Sequence, residues 1–461
     1  MHEIIVHPKA HGYQARALEF SLNNRDSYQA LKMGLGKTLV SLMWILNIEP
    51  KATLVIAPIK VMYNTWPAEI EKWAPGLTYT IVHGPDKLTQ LHKKVNIYLT
   101  NFESIVWLYE ALKKMKCIPF DAIIIDEGTM IKDSKTKRWK KLRAMREMFP
   151  KGKMVLSGTP MPNSMLNLWT QYFFLDGGVR LHSSFGEYQV RYFDPQDKDG
   201  RVWTIKSPGV AAIIHKRIRD ITFTLDPSEH IKLPPVIYNF IKLTLPPKLQ
   251  KMYNALEEDY FLRLSENKAI EVFNSMALSM KLRQFIQGAL YTDTKGTYEV
   301  LHTEKVEALK ELVEASDGTP ILCAIQFIFE LDLICKAFPG TPVIRGGVSN
   351  TEATRLVNAW NRRELPLLLC HPKSISHGMN MQTGGNHILW FGIPWSGEQY
   401  EQLGGRLARQ GQEADNVVMS HLIMKSTIDV AIAASLRNKA KGQQAMLDYI
   451  NAYHKGEIID I

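Results

Sequence analysis

The stretch Ala122-Ile123-Ile124-Ile125-Asp126-Glu127 joins four apolar residues to two carboxylates, and it decides the fold class of this chain. A short apolar run rich in β-branched residues is typical of a strand that is buried on both faces of a parallel sheet. Segments with helical spacing, 38–46 and 66–73 among them, lie between further apolar runs. These further runs are 53–57, 97–99, 154–156, 321–325, 342–344, 367–370 and 387–391. The alternation predicts an α/β protein in which doubly wound parallel sheets are flanked by helices.

The length of 461 residues is too great for one hydrophobic core and indicates two domains. The composition, with 45% hydrophobic and 22% charged residues, is that of a globular protein. Proline pairs at 234–235 and 246–247 interrupt regular structure near the middle of the chain, and the pattern at 248–287 then predicts helix. We therefore predict an N-terminal lobe over 1–232 and a C-terminal lobe over 233–461, with a helical insertion at about 248–290.

The charge balance and the cysteines narrow the class of protein. Lys and Arg number 56 against 46 Asp and Glu, and the resulting net charge of +10 favours polyanionic partners. The four cysteines have neither metal-ligand spacing nor the density of a secreted scaffold, so we predict reduced cysteines and no zinc site. The first residues lack the apolar segment of a signal peptide, and no run of 18 apolar residues occurs. These observations predict a soluble protein of the cytoplasm.

The run Lys32-Met33-Gly34-Leu35-Gly36-Lys37-Thr38 precedes a helical pattern and has the composition of a phosphate-binding loop. Gly34 and Gly36 permit a tight backbone around Leu35, whose amide would face an anion. Lys37 would reach the β- and γ-phosphates of a nucleotide, and the Thr38 hydroxyl would bind Mg²⁺. The general pattern has a further glycine where Leu31 stands. An ordinary glycine-containing turn is the alternative interpretation.

The two carboxylates of the opening stretch follow a predicted strand directly, so both would emerge at the carboxyl edge of the sheet, where α/β proteins bind ligands. Asp126 would bind Mg²⁺, through water, and Glu127 would orient and deprotonate the water that attacks the γ-phosphate. A solvated pair of acids at a strand end is the alternative.

Two further segments of the first half carry polar groups suited to a nucleotide. Ser157-Gly158-Thr159-Pro160 follows the run 154–156 and could sense the γ-phosphate, although a plain turn explains it equally well. Gln14 lies in His11-Gly12-Tyr13-Gln14, where its amide could contact the edge of an adenine. An exposed glutamine at a helix start is the alternative for Gln14.

The segment 132–153 contains ten Lys or Arg residues. Trp139, Leu142, Met145 and Phe149 recur at helical spacing within it, so the segment is predicted to be an amphipathic helix with a basic outer face. A single-sign excess of this size favours phosphate contact over a merely solvated face.

In the second half, Gln402-Leu403-Gly404-Gly405-Arg406-Leu407-Ala408-Arg409 places two arginines three residues apart, so on a helix they would share one face. Arg406 and Arg409 are candidates for neutralising charge on a transferring phosphoryl group. A surface arginine pair is the alternative. The loop 374–380, which follows the run 367–370, has small and polar residues suited to contact phosphates, and a featureless connecting loop is the alternative.

The series of motifs at 33–38, 123–129, 156–163 and 405–412 resembles motifs I, II, III and VI of the Swi/Snf-type ATPases of helicase superfamily two. Segments 54–58 with Trp66, 99–104, 281–284 and 321–326 are similar to other parts of that family and fall in the expected order. The resemblance implies two tandem RecA-like lobes with ATP bound between them. It also implies translocation along double-stranded DNA, adenine contact by Gln14, and γ-phosphate contact by Arg406 and Arg409.

The chain departs from the family pattern at four positions. Leu31 and Lys32 stand where an acidic pair is usual, and Thr129 and Ala408 each replace a histidine. We expect a compact bacterial or phage-type member, working in the cytoplasm at the nucleoid or in the cytoplasm of a phage host. The leading hypothesis is a DNA-stimulated ATPase that translocates on duplex DNA and remodels DNA or protein–DNA complexes. A strand-separating DNA or RNA helicase and an ATP-gated DNA-binding scaffold with little turnover are the alternatives.

Overall fold

The computed structural model describes residues 4–32, 34–115, 117–158, 165–195, 203–225, 233–266, 272–292, 296–375 and 379–437, without the side chains of 259–278. The chain divides into two compact units, Met1–Lys232 and Leu233–Ile461. In the described ranges no helix is both long enough and apolar enough to span a membrane.

The first unit is built around a seven-stranded sheet. The described strands of this unit, inside and outside that sheet, are β1 Asp26–Ala30, β2 Thr53–Ile56, β3 Tyr79–Ile81, β4 Ile97–Thr100, β5 Ala122–Asp126, β6 Gly152–Ser157, β7 Phe193–Pro195, β8 Trp203–Ile205 and β9 Thr222–Thr224. The sheet has the order β3-β4-β2-β5-β6-β1-β9 and every pairing in it is parallel, whereas β7 and β8 form a separate antiparallel pair. The helices are α1 Gly12–Asn23, α2 Lys37–Ile48, α3 Trp66–Trp73, α4 Lys87–Leu91, α5 Ile105–Lys114, α6 Lys137–Met145, α7 Leu168–Asp176, α8 Phe185–Tyr192 and α9 Pro208–Ile218.

The second unit repeats this plan with six parallel strands. The described strands of this unit, inside and outside its sheet, are β10 Val236–Leu243, β11 Ala289–Tyr291, β12 Tyr298–Val300, β13 Ile321–Ala324, β14 Val343–Ile344, β15 Leu367–Cys370, β16 His387–Trp390 and β17 Val417–Met424. The order is β10-β17-β16-β13-β15-β14, and β11 with β12 forms an antiparallel pair outside the sheet. The helices are α10 Pro247–Glu266, α11 Val272–Ile286, α12 Glu304–Ala315, α13 Ile328–Ala337, α14 Asn350–Asn361, α15 Pro372–Ile375, α16 Gly397–Leu407 and α17 Ile428–Arg437.

Both faces of the first sheet are covered, which is why its strands are almost uniformly apolar. On β5, Ile123 and Ile125 belong to one hydrophobic core and Ile124 belongs to the core on the opposite face. Each of these three side chains is fully buried. All eight apolar runs of the sequence are strands, and the predicted α/β fold with parallel sheets and flanking helices is confirmed.

Strand β1 was not singled out by the sequence because its buried positions include polar residues. Ser27 donates to the Ser21 hydroxyl at 3.0 Å, and the Gln29 amide donates to the Ala17 carbonyl at 3.1 Å. Both acceptors lie on α1, so this helix satisfies polar groups that would otherwise cost free energy inside the sheet. The strand is therefore buried without the apolar pattern that predicts burial.

A buried ion pair joins the first turns of α12 and α17 in the second unit. Lys305 Nζ lies 2.7 Å from Asp429 Oδ2, and each side chain is only 1% exposed. Lys305 also donates to the Phe391 carbonyl at 3.2 Å, and Asp429 Oδ2 accepts the Met424 amide at 3.2 Å. A charge in such a place is tolerated only while its partner and hydrogen bonds are present.

Replacing one partner of this pair is expected to destabilise the second unit. Lys305→Met should lower the free energy of unfolding by about 3–5 kcal/mol, because it leaves the Asp429 carboxylate buried without its counter-charge. Lys305→Met combined with Asp429→Leu should recover most of that loss. Urea unfolding followed by circular dichroism measures both variants, and an equal loss in the single and double variants would contradict this account.

Candidate functional site

The predicted site residues of the first unit gather at one edge of its sheet. Neighbouring strands β5, β6 and β1 pair Asp126 with Leu156 and Ala30 with Ser157, so the three strands end side by side. The loops that follow them are therefore neighbours. They carry the glycine-rich run, the acidic pair and the start of the Ser-Gly-Thr-Pro segment. Thr159 and Pro160 lie outside the described residues.

Residues 34–36 of the glycine-rich run form a tight turn that leads into a helix. Gly34 and Gly36 have φ of +82° and +66°, values that favour glycine, and Gly36 immediately precedes α2. Thr38 follows in the first turn of this helix, so its hydroxyl and the first amides of α2 share the end that favours anions. The Lys37 ammonium donates to the carbonyls of Leu31 at 2.9 Å and Lys32 at 3.4 Å, which holds it over the loop.

Leu31 occupies the position where the general pattern has a glycine, and its burial explains the departure. Its side chain is fully buried in the core that covers one face of the sheet. The chain here is thus still anchored in the core as it leaves β1, and the tight part of the turn begins at Gly34.

Two side chains of α1 hold the glycine-rich loop by hydrogen bonds to one of its carbonyls. Gln14 is 4% exposed and donates through Nε2 to the Leu35 carbonyl at 3.2 Å, and its Oε1 accepts the His11 amide at 2.9 Å. The Tyr13 hydroxyl donates to the same Leu35 carbonyl at 3.3 Å. Gln14 is therefore not an exposed helix-start residue, and its amide helps to hold the loop. Adenine contact by Gln14 stays a prediction, and the sequence did not indicate the part played by Tyr13.

The Asp126 carboxylate ends β5 and is held by an indole. Trp66, the first residue of α3, is fully buried and donates through Nε1 to Asp126 Oδ2 at 2.9 Å. Burial raises the pKa of the Asp126 carboxyl to about 6, while the Trp66 N–H and the charge of Lys37 act in the opposite direction. At neutral pH the carboxyl is mostly ionised, as an oxygen ligand for a divalent cation must be.

Glu127 has an unusual backbone for a residue with a side chain. Its φ is +80°, in the left-handed region. The Glu127 amide donates to the Leu156 carbonyl at 3.1 Å, and the Glu127 carbonyl accepts the Met130 amide at 3.0 Å. The Thr129 hydroxyl donates to Glu127 Oε1 at 2.8 Å. Backbone strain of this kind persists where the surrounding structure over-determines the conformation, and it is concentrated at functional sites.

Gly128 shows why the turn after β5 is held so firmly. A Cβ at this position would lie 2.6 Å from Val155 Cγ1 and 2.8 Å from Gln171 Oε1, so only glycine fits. Gln171 is fully buried on α7, and its Oε1 accepts the Tyr28 hydroxyl at 2.7 Å. Burial raises the pKa of Tyr28, which keeps this hydroxyl protonated and able to donate. The turn is thus packed against β1, β6 and α7 together.

The two arginines of the second unit differ from the sequence interpretation. Helix α16 ends at Leu407, so Arg409 lies beyond it, and the inference that both arginines share one helix face was wrong. They nevertheless contact consecutive residues of the polar loop. Arg406, 7% exposed, donates to the Met379 carbonyl at 3.3 Å, and Arg409 donates to Asn380 Oδ1 at 2.7 Å. Residues 376–378 of that loop lie outside the described ranges.

The basic segment 132–153 is less uniform than predicted. The α-helix covers only Lys137–Met145, because a turn precedes it and a short 3-10 turn follows. Lys153 does not face outward as predicted: it is buried on β6 and lies 3.0 Å from Asp26 Oδ1. Arg143 lies over the Phe173 ring at 4.5 Å, and Lys141 lies 2.6 Å from Glu110 Oε1. The exposed lysines of the segment are Lys132, Lys135, Lys137, Lys140 and Lys151.

Comparison with known proteins identifies the relatives of this chain. The model of the SNF2-related domain matches residues 13–289, and that of the helicase conserved C-terminal domain matches residues 304–411. A protein provisionally named p41, from Acyrthosiphon pisum secondary endosymbiont phage 1, is 32% identical over 95% of this chain and 97% of its own length. A Bacillus subtilis (strain 168) protein, provisionally named ATP-dependent helicase/translocase YwqA, is 27% identical over 88% of this chain. The chain spans only 45% of the length of the Bacillus protein.

Among solved structures, a Sulfolobus solfataricus SWI2/SNF2 ATPase core in complex with double-stranded DNA covers 96% of this chain, and the match covers 95% of that chain. The identity is 21% and the TM-score is 0.46. The two family models and the two parallel sheets confirm the tandem RecA-like fold and the ATP-hydrolysing class that the resemblance implied.

Gly36→Ala tests whether the tight turn and its hydrogen bond from Gln14 are needed to bind ATP. The new Cβ would lie 2.2 Å from Gln14 Nε2, so the amide would have to leave the Leu35 carbonyl. The left-handed backbone also costs an alanine about 1–2 kcal/mol, so we expect ATP binding to weaken by about tenfold or more. Gly12→Ala is the matched control, because no atom lies within 4 Å of its Cβ position. Titration with a fluorescent ATP analogue measures both, and equal affinities in the two variants would refute the role assigned to the loop.

Proposed function

Because this chain belongs to the SNF2-related family of ATP-hydrolysing nucleic-acid motors in helicase superfamily two, we propose that it hydrolyses ATP with Mg²⁺ and so translocates on double-stranded DNA. The observation that carries the proposal is the junction of the Lys37–Thr38 loop with Asp126 and Glu127 at one sheet edge. Residues 1–232 would act as the ATP-binding lobe and 233–461 as the helicase lobe.

The proposed chemistry divides among four side chains and three backbone amides of the first unit. Lys37 would neutralise the β- and γ-phosphates, and the amides of Gly34, Leu35 and Gly36 would cradle them. Thr38 and Asp126 would hold Mg²⁺, the latter through water, and Glu127 would orient and deprotonate the attacking water. The position of Asp126 at the end of β5, with Oδ2 held by the Trp66 indole, supports its role toward a cation.

Arg406 and Arg409 are proposed to stabilise the charge that develops on the γ-phosphoryl group. Guanidinium groups supply this kind of stabilisation in many phosphoryl-transfer enzymes. Their anchoring on consecutive residues, Met379 and Asn380, supports a joint role despite the end of the helix between them.

Binding to DNA is supported by charge. Lys132, Lys135, Lys137 and Lys140 are exposed within nine residues of sequence, and the whole chain carries a net charge of +10. Such lysines attract the phosphate backbone without reading sequence. The word translocase in the name of the Bacillus relative supports translocation, and the phage relative supports work in the cytoplasm of a host cell.

The indole bond to Asp126 gives a test of the metal site. In Trp66→Phe the Mg²⁺ concentration for half-maximal ATP hydrolysis should rise by roughly tenfold, because a hydrogen bond to a charged group is lost. Trp73→Phe is the matched control, since its indole donates to Glu69 Oε2 at 2.8 Å in the same helix. Magnesium titrations of phosphate release compare the two, and the same Mg²⁺ dependence in both would exclude this role for Trp66.

Phosphate release with and without duplex DNA tests the proposed activity itself. We expect release that duplex DNA stimulates, and no release in Glu127→Gln, which should still bind ATP because only the proton acceptor is removed. Absence of release from the unaltered protein under both conditions would favour the ATP-gated scaffold. Unchanged turnover in Glu127→Gln would remove that residue from its assigned role. Displacement of a labelled strand from a forked duplex would favour the strand-separating helicase.

A further inference from the structure

We propose that Thr129 is a positioning residue for hydrolysis: its hydroxyl holds the Glu127 carboxylate in the orientation that accepts the proton of the attacking water. The inference rests on the proposed function, because it assigns Glu127 to that step. It gives a purpose to one of the positions at which this chain departs from the family pattern, where threonine stands in place of the usual histidine.

The hydrogen bond between Thr129 and Glu127 is short and partly buried. Thr129 Oγ1 donates to Glu127 Oε1 at 2.8 Å, and Thr129 is only 5% exposed. Glu127 is half-buried, and a hydrogen bond to a carboxylate is stronger in such surroundings than at an open surface. The bond is formed between residues on either side of Gly128, whose own position is fixed by Val155 and Gln171.

The backbone around the carboxylate has little freedom of its own. The amide and the carbonyl of Glu127 are both engaged, with Leu156 and Met130, and φ is held at +80°. The remaining freedom of the residue is therefore in its side-chain torsions, several of which a glutamate must restrict to aim its carboxylate. A donor on Oε1 restricts those torsions and directs Oε2 as the oxygen that takes the proton.

The two carboxylates of the pair have separate donors. Asp126 Oδ2 accepts from the Trp66 indole and Glu127 Oε1 accepts from the Thr129 hydroxyl. An indole N–H and a hydroxyl on different elements can hold two adjacent acids in different orientations. A metal ligand and a proton acceptor need such a difference, because one oxygen must face the cation and the other the water.

Thr129→Val and Thr129→Ser test the proposal in the full-length protein. Valine keeps the shape without the hydroxyl, so kcat for DNA-stimulated ATP hydrolysis should fall by roughly 10- to 100-fold, as expected for one lost hydrogen bond to a charged group. The KM for ATP and the DNA concentration for half-maximal stimulation should change by less than about twofold, because binding does not use this bond. Serine retains the donor and should retain most of kcat.

Thr427→Val is the matched control for stability, because the Thr427 hydroxyl is also buried and donates to the Met424 carbonyl at 2.8 Å, away from every residue assigned to ATP or DNA. It should lower the melting temperature and leave kcat unchanged. If Thr129→Val does not fold, the serine variant still decides, since a large loss of kcat in it would overturn the role of the hydroxyl. Full kcat in Thr129→Val with no turnover in Glu127→Gln would overturn this inference alone. No turnover in the unaltered protein would overturn the proposed function.

Discussion

The chemistry of this protein depends on the parallel arrangement of one sheet. In a parallel sheet all strands point the same way, so the loops that follow them leave from the same edge. Strands β1, β5 and β6 are neighbours, and the residues that end them are in register. Segments separated by about a hundred residues are thereby brought together by the pairing of the strands themselves. Helices must cover both faces of each sheet, and the apolar residues of each lobe form the cores between the sheet and these helices.

Buried polar side chains then orient, through hydrogen bonds, the groups that the sheet brings together. Gln14 and Tyr13 donate to the loop carbonyl of Leu35, Trp66 donates to Asp126, and Thr129 donates to Glu127. Each of these donors is shielded from water, so each bond is stronger than it would be at the surface. Groups that are fixed before the substrate arrives do not have to reorganise during the reaction. The same side chains therefore contribute to the fold and to the proposed catalysis.

The sequence alone predicted the strands correctly where a run of apolar residues marks them. The run that ends at Asp126 predicted β5 and placed both carboxylates at the correct edge, and the glycines predicted the tight turn before α2. The sequence did not predict burial where a polar side chain forms a hydrogen bond or ion pair with a residue distant along the chain. Gln29 lies on a buried strand because α1 supplies its acceptor, and Lys153 is buried because Asp26 is beside it.

The same limit applies to the site. The contact of Trp66 with Asp126 joins residues sixty positions apart, so no local pattern reveals it. The bond between Thr129 and Glu127 is local, but it depends on a left-handed backbone at a glutamate, which sequence preferences argue against. The helix expected to carry both Arg406 and Arg409 ends between them, and helix ends are among the features that sequence places least well.

The left-handed backbone at Glu127 also has a consequence for how the protein can change over generations. Glycine would adopt this conformation at no steric cost, so folding by itself would favour loss of the glutamate side chain. Only selection for the activity opposes that drift. A lineage that keeps the fold for another purpose is therefore free to become more stable by replacing Glu127 with glycine.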